Sequence, residues 1–363
     1  MPQFFDQDDE RAPNKRPVSA IAPQYMTVTT QAGSGLLPLY ATGAWDAPQS
    51  NVTRAVVLLH GRLRNADAYF NLGHRARAEA GRDALDTVLI VPQFLASADV
   101  EAHRLPPSTL HWDWVGWMGG DNAVGPAAIS SFDALDAILQ ALASRERFPA
   151  LSSVVIAGHS GGAQVAQRYA VVTRGEAPLV ERGIAVRYVV ANPSSYVYFD
   201  EQRPCISGDF AALDEASCPQ FNRWKYGLDD LPAYVRAGNG EHSAATLESA
   251  YTRREVVMLL GAEDCDPLHP ALDTSCAARA QGEHRLGRGR AYMRYMRSRH
   301  PDVQHRAFEI AGVGHDGAGM FASAPGVAAL FGADYAAPAA PPAPAAPVER
   351  EISAEKTGSQ SKI

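Results

Sequence analysis

The sequence reads as an α/β protein with a mainly parallel sheet covered by helices on both faces. Three observations lead there. Short runs apolar at consecutive positions, such as Arg54-Ala55-Val56-Val57-Leu58-Leu59, recur along the chain, and that pattern marks strands buried on both faces. Segments between them carry helical periodicity, clearest at 126–145, where Phe132, Leu135, Leu139 and Leu142 recur at spacings of three and four. One strand, Ser153-Val154-Val155-Ile156-Ala157, runs into Gly158-His159-Ser160-Gly161-Gly162 and then into a helical stretch with Val165, Ala166, Tyr169 and Val172 on one face. Such alternation implies crossovers over the sheet and parallel pairing.

Taken in order, the first 23 residues are polar, with Asp6, Asp8, Asp9, Glu10 and Arg11 where an apolar export core would lie. The domain, 24–333, is expected to open with a hairpin of strands 25–30 and 36–40 joined by Gln31-Ala32-Gly33-Ser34-Gly35, Pro38 marking an edge. Strand 54–59, helix 66–80, strand 87–91 and helix 126–145 follow, then the strand and helix around Ser160, then strands 186–191 and 255–260. Residues 194–250 lack strong periodicity apart from a helical piece at 231–236, and read as a lid-like insertion over the sheet's edge. A helix near 289–299, a strand at 304–310 and a helix near 320–331 complete the domain. The tail 334–363 is Ala/Pro-rich and then charged, too poor in apolar area to offset its ordering entropy.

With 363 residues, 46% of them apolar, the chain can bury a large core. A net charge of −7 gives no electrostatic footprint for nucleic acid, and no apolar run approaches a membrane span. The four cysteines fall into neighbouring pairs, and local pairing Cys205–Cys218 and Cys265–Cys276 would stabilise each loop by about 3 kcal/mol. Four unrelated thiols are the alternative. Disulfides would favour an oxidising compartment, secreted or periplasmic. The sequence leaves the oligomeric state open.

Gly158-His159-Ser160-Gly161-Gly162 has the form of a nucleophile elbow, because a serine in a strained strand-to-helix turn needs small neighbours. Such a nucleophile needs a base, an acid to orient the base, and N–H donors for a developing oxyanion. His315, on the Gly-rich loop after the last strand, is the candidate base, with His300 and His305 its nearest rivals. Asp264 is the candidate acid on the loop after strand 255–260, with Asp266 the alternative beside Glu263. The backbone N–H groups of Gly161 and of Arg62, just after His60-Gly61, are the candidate oxyanion donors. An aromatic-rimmed acyl or aryl pocket is expected from Trp112, Trp114, Trp117, Tyr196 and His60. Neither His-Glu-x-x-His nor paired Cys-x-x-Cys occurs, so Asp264, Asp266 and His269 make a poor metal set, and Gly312-Val313-Gly314 lacks the remaining features of a dinucleotide fingerprint. No cofactor is expected.

In these residues the sequence resembles serine hydrolases of the α/β-hydrolase superfamily, over roughly 54–332, and the order Ser160, Asp264, His315 is that fold's own. The resemblance implies a hydrolase of carboxylic esters, small or polymeric, acting through a covalent acyl-enzyme. Amidase or thioesterase chemistry on the same residues, or a non-catalytic binding member of the fold, are the alternatives.

Overall fold

The computed structural model describes residues 13–238 and 242–332; the tail 334–363 and most of the polar N-terminal segment lie outside them. Eight strands form the main sheet: β1 Gln24–Thr30, β2 Gly33–Ala41, β3 Arg54–Leu59, β4 Thr87–Pro92, β5 Ser153–His159, β6 Ala185–Ala191, β7 Glu255–Gly261 and β8 Arg306–Ile310. Their spatial order is β1-β2-β4-β3-β5-β6-β7-β8. β1, β2 and β4 pair antiparallel in sequence, and every pairing from β4 through β3 to β8 is parallel.

Consecutive apolar positions in β3 follow from this layering. Val56 and Leu58 face a cluster containing Ala76 of helix α1 (Ala66–Ala80) and Met320, Phe321 and Leu330 near the end of the domain. Ala55, Val57 and Leu59 face the opposite cluster, with Ile138 of α2 (Ser131–Leu142), Val165 of α3 (Gly161–Val172) and Tyr292 of α4 (Arg285–Arg299). A strand inside a two-sided parallel sheet has no polar face to show.

Several expectations need correction. Pro38 is not on the edge strand: β1 is the edge, and Pro38 in β2 stands just before the pairing with β4 begins at Leu39. Its missing N–H therefore interrupts no ladder on that side. Helix 126–145 shrinks to α2, because Ser130 caps it, accepting from the Phe132 N–H while Asp133 accepts from the Ser130 N–H. The last helix is two, α5 Gly317–Ala322 and α6 Ala324–Phe331, divided at Ser323, whose extended backbone and side chain cap α6. A helix Ser97–Ala102 and a helix Ala244–Thr252 were not expected.

Residues 194–250 pack as a layer of the core at their start. Tyr196 stacks on Tyr292 of α4 at 4.5 Å, Tyr198 lies 4.5 Å from Tyr295, and Phe199 meets Tyr251 at 5.6 Å. The expected cysteine pairing is overturned. Cys218 joins Cys276, while Cys205 and Cys265 are free and exposed. The bridge thus links this segment to the loop after β7, alongside the Tyr226 hydroxyl donating to Asp273 at 2.7 Å. Sequence proximity does not select a partner when a distant loop is folded closer.

The polar N-terminal segment is part of the fold from residue 13 onward. The Val18 N–H donates to Asp99 and the Ala22 N–H to Gln93, while Arg64 donates to the carbonyls of Asn14 and Arg16. Its polar side chains hid a segment held by its backbone. No described helix is long and apolar enough to cross a membrane.

Candidate active site

β5 delivers Ser160 to the carboxyl end of the sheet in a conformation few residues adopt, with φ 56° and ψ −117°. A non-glycine residue there costs on the order of 1–3 kcal/mol. Its surroundings hold it: the Ser160 N–H donates to the Ala191 carbonyl at the end of β6, 3.0 Å away. The flanking glycines are required by close approach. A Cβ on Gly158 would lie 2.2 Å from the carbonyl carbon of Gly162, and one on Gly162 would lie 2.2 Å from the Leu59 carbonyl oxygen. The turn therefore puts the Ser160 hydroxyl above the sheet, at the N-terminus of α3.

The loop after β8 brings His315 to that hydroxyl, and the loop after β7 brings Asp264 to His315. His315 Nε2 is 3.0 Å from Ser160 Oγ, and His315 Nδ1 is 2.8 Å from Asp264 Oδ2. An ionised carboxylate only accepts, so Nδ1 carries the proton and Nε2 is left to accept from the serine. Asp264 is buried, which raises its pKa, but the hydrogen bond from His315 and the charge of Arg285 outweigh burial and hold it below the usual carboxylate range. Arg285 Nη1 donates to the other oxygen, Oδ1, at 3.2 Å.

The rivals are engaged elsewhere. Asp266 is exposed and accepts from the Leu268 N–H in a turn; Glu263 is exposed. His300 pairs with Glu248 at 2.8 Å and His305 with the Tyr251 carbonyl at 3.1 Å. Among residues missed in the sequence, Asn192 matters most. It accepts from the Gly261 N–H at 2.7 Å and donates to the Gly314 carbonyl at 3.0 Å, tying the ends of β6 and β7 to the histidine loop. Its only sequence signal was its place after β6. His159 and His269 flank His315, with ring centroids 4.7 and 4.9 Å away. Burial, then the neighbouring His315, hold His159 well below its ordinary pKa and so neutral.

Arg62 and Gly161, the two candidate oxyanion donors, approach closely. A Cβ on Gly161 would meet Arg62 N at 2.9 Å and Met118 Sδ at 2.7 Å. Neither N–H is recorded donating to an acceptor among the described residues. The Arg62 loop is buttressed by Arg64, whose buried guanidinium pairs with buried Asp99 at 2.7 Å and whose backbone turns at φ 58°.

The expected aromatic pocket is mostly core. Trp112 and Trp117 are fully buried around Phe94, and Trp117 stacks on it at 5.2 Å. His60 is buried too; its Nε2 accepts from the Phe94 N–H at 2.9 Å, its Nδ1 donates to the Gly61 carbonyl, and burial pushes its pKa down to about 4. Tyr196 is buried against Tyr292. Trp114 is half-buried, its ring under the Arg64 guanidinium at 4.8 Å. These rings buttress the loops around the serine, which is what large aromatics do wherever a core can take them. Met118, inside the tryptophan-rich stretch, is the side chain that reaches residue 161.

A mainly parallel sheet with helices on both faces, a strand–serine–helix elbow, and an acid and a histidine on the loops after later strands define the α/β-hydrolase fold, and this chain has it. No protein-family model matches the sequence, and no curated protein matches it. Solved structures similar in fold include the following two. One is poly(aspartic acid) hydrolase-1 from Sphingomonas sp. KT-1, 21% identical over 84% of this chain and 96% of that one, with a TM-score of 0.55. The other is a poly(3-hydroxybutyrate) depolymerase from Bordetella parapertussis, 20% identical over 81% of this chain and 85% of that one, also with a TM-score of 0.55.

Proposed function

We propose that this chain is a serine hydrolase acting on carboxylic esters through a covalent acyl-enzyme. The observation that carries the reading is His315 standing between Ser160 and Asp264, hydrogen-bonded to both. In this reading His315 Nε2 takes the Ser160 proton as Oγ attacks the ester carbonyl, and the N–H groups of Arg62 and Gly161 hold the oxyanion. Asp264 keeps the Nδ1 proton in place and stabilises the imidazolium. Collapse of the tetrahedral adduct expels the alcohol, which receives the proton from His315, and leaves Ser160 acylated. Water activated by His315 then attacks the acyl carbonyl, releasing the acid and returning the proton to Ser160.

Fluorophosphonate labelling with peptide mass spectrometry tests this reading. Label on Ser160, absent in Ser160→Ala, is the expected result; a folded protein that takes no label would overturn it. Esters of graded acyl length, matched amides and thioesters, and the polymers in the names of the two similar structures form the panel that follows.

A further inference from the structure

The groups around Ser160 include cations that the mechanism does not use. Arg62 donates its backbone N–H to the proposed oxyanion hole, yet its side chain is half-buried and meets no carboxylate among the described residues. Its one recorded bond is from Nη2 to the Pro270 carbonyl at 3.4 Å. Burial alone accounts for its lowered pKa, with no acid near enough to oppose it. Arg285, close enough to Arg62 for the two charges to repel, is buried behind Asp264 with Nη2 unpartnered. Arg168 and Arg288 are also buried, each with one unpartnered N–H. These three arginines converge on the loop after β6: Arg168 donates to Ser195 Oγ, Arg285 to Ser194 Oγ, and Arg288 to the Ser194 carbonyl.

Lys225, half-buried as well, is the contrast and borders a separate cavity. The Lys225 chain packs on Gly119, where a Cβ would meet its Cε at 3.2 Å, and Met118 itself reaches residue 161 beside Ser160. The ammonium makes no ion pair or hydrogen bond among the described residues, and it borders a cavity of about 410 Å³ lined by Asp121, Trp224, Tyr226 and Ser275. On the same cavity Arg223 pairs with Asp230 at 2.7 Å. Asp273, near both Lys225 and Arg288, accepts from Tyr226 and the Ser275 N–H. Asp121, Asp273 and Asp113 are all close enough to attract Lys225, and Arg168 close enough to repel it, so its charge is answered within the fold. Arg62 has no such acid, and a half-buried cation without a partner is costly unless something supplies the missing charge.

Resting on the proposed hydrolase reading, we infer that the substrate is an acyl compound carrying a carboxylate near the scissile bond, bound by the Arg62 guanidinium, whose Nη2 reaches Pro270 next to His269, the ring that flanks His315. A guanidinium takes a carboxylate through two parallel N–H donors.

The test compares two esters of one acyl length, 4-nitrophenyl hydrogen glutarate and neutral 4-nitrophenyl pentanoate, in the wild type, in Arg62→Met and, as a control outside the site, in Lys225→Met. The arginine variant keeps the backbone N–H. The ratio of kcat/KM values, anionic over neutral, should be tenfold or more in the wild type. It should fall about tenfold in Arg62→Met and not in Lys225→Met, recover partly in Arg62→Lys, and shrink when salt is raised from about 0.05 to 0.5 M. A wild-type ratio of one or less, or a ratio unmoved in Arg62→Met, would overturn the inference. Hydrolysis of neither ester by folded protein would sink the hydrolase reading instead. Calorimetric titration of Ser160→Ala with glutarate judges the inference separately: binding weakened by Arg62→Met supports it, and no binding overturns it.

Discussion

Two buried arginine–aspartate pairs stand on opposite sides of the serine, and they are spent differently. Arg64 and Asp99 are both fully buried, and the rest of each group goes to the chain's own backbone: Asp99 accepts from the N–H groups of Val18 and Ala96, and Arg64 donates to the carbonyls of Asn14 and Arg16. Arg285 and Asp264 are equally buried, yet Asp264 gives one oxygen to His315 and Arg285 keeps an unpartnered N–H. A buried charge whose every partner is fixed backbone serves the fold. One that leaves an oxygen for an imidazole is arranged as the proposed chemistry needs. Each pair also has a buried neutral histidine nearby, His60 beside the first and His159 beside the second.

Breaking the second pair's link to His315 should have the largest effect. In the proposed mechanism Asp264→Asn removes the charged acceptor that selects the tautomer, so kcat should fall by about 10⁴-fold; buried Arg285 loses its counter-charge too, and the unfolding midpoint should fall, less than on truncation because the amide oxygen still accepts from it. Ester turnover and urea unfolding on one preparation check it; a tenfold loss or less would return the acid role to Asp266.

Breaking the first pair should do the converse. Asp99→Ala strands the buried Arg64 guanidinium and two backbone N–H groups, which should destabilise the protein by about 3–5 kcal/mol. Denaturant unfolding at neutral pH measures this, and a change under about 1 kcal/mol would mean the strap of residues 13–22 is not secured by this carboxylate.

The bridge on the Asp264 side gives a smaller, graded effect. Cys218 and Cys276 are 58 residues apart, so Cys276→Ser should cost about 2–4 kcal/mol under oxidising conditions and nothing further when reductant is added. Equal stability of wild type and variant without reductant would mean that this bridge does not form in solution.

The gentlest comparison is by pH. His60 and His305 both have pKa values pushed down to about 4 by burial, against about 6.5 in an unfolded chain. Between those values the unfolded state binds protons that the folded state refuses, so the associated stability is present above pH 6.5 and lost as pH falls toward 4. The slope should be about 1.4 kcal/mol per pH unit for each histidine. His60→Gln should flatten the pH dependence of unfolding by one such increment; an unchanged slope would show that His60 takes up its proton without unfolding.

The parallel strands, the elbow and the order Ser160, Asp264, His315 were legible in the sequence because they depend on local rules. Runs apolar at consecutive positions state two-sided burial, and Gly158 and Gly162 state a close approach that no Cβ survives. Choosing Asp264 over Asp266 was an inference from position, and the geometry that separates them is a matter of which carboxylate turns inward. Other features depend on contacts between distant segments, and no local pattern carries those. Cys218 found Cys276 across 58 residues, Asp99 found Arg64 and Val18, and Arg285 found Asp264. The tryptophans of 112 and 117 went to the core because a large ring is buried wherever the fold leaves room, whatever loop carries it. The sequence by itself determined the layers, the turn and the residue types of the candidate site; only the tertiary structure decided which charges are spent on one another and which, like Arg62, meet no carboxylate among the described residues, because charge pairing is set by distances through space.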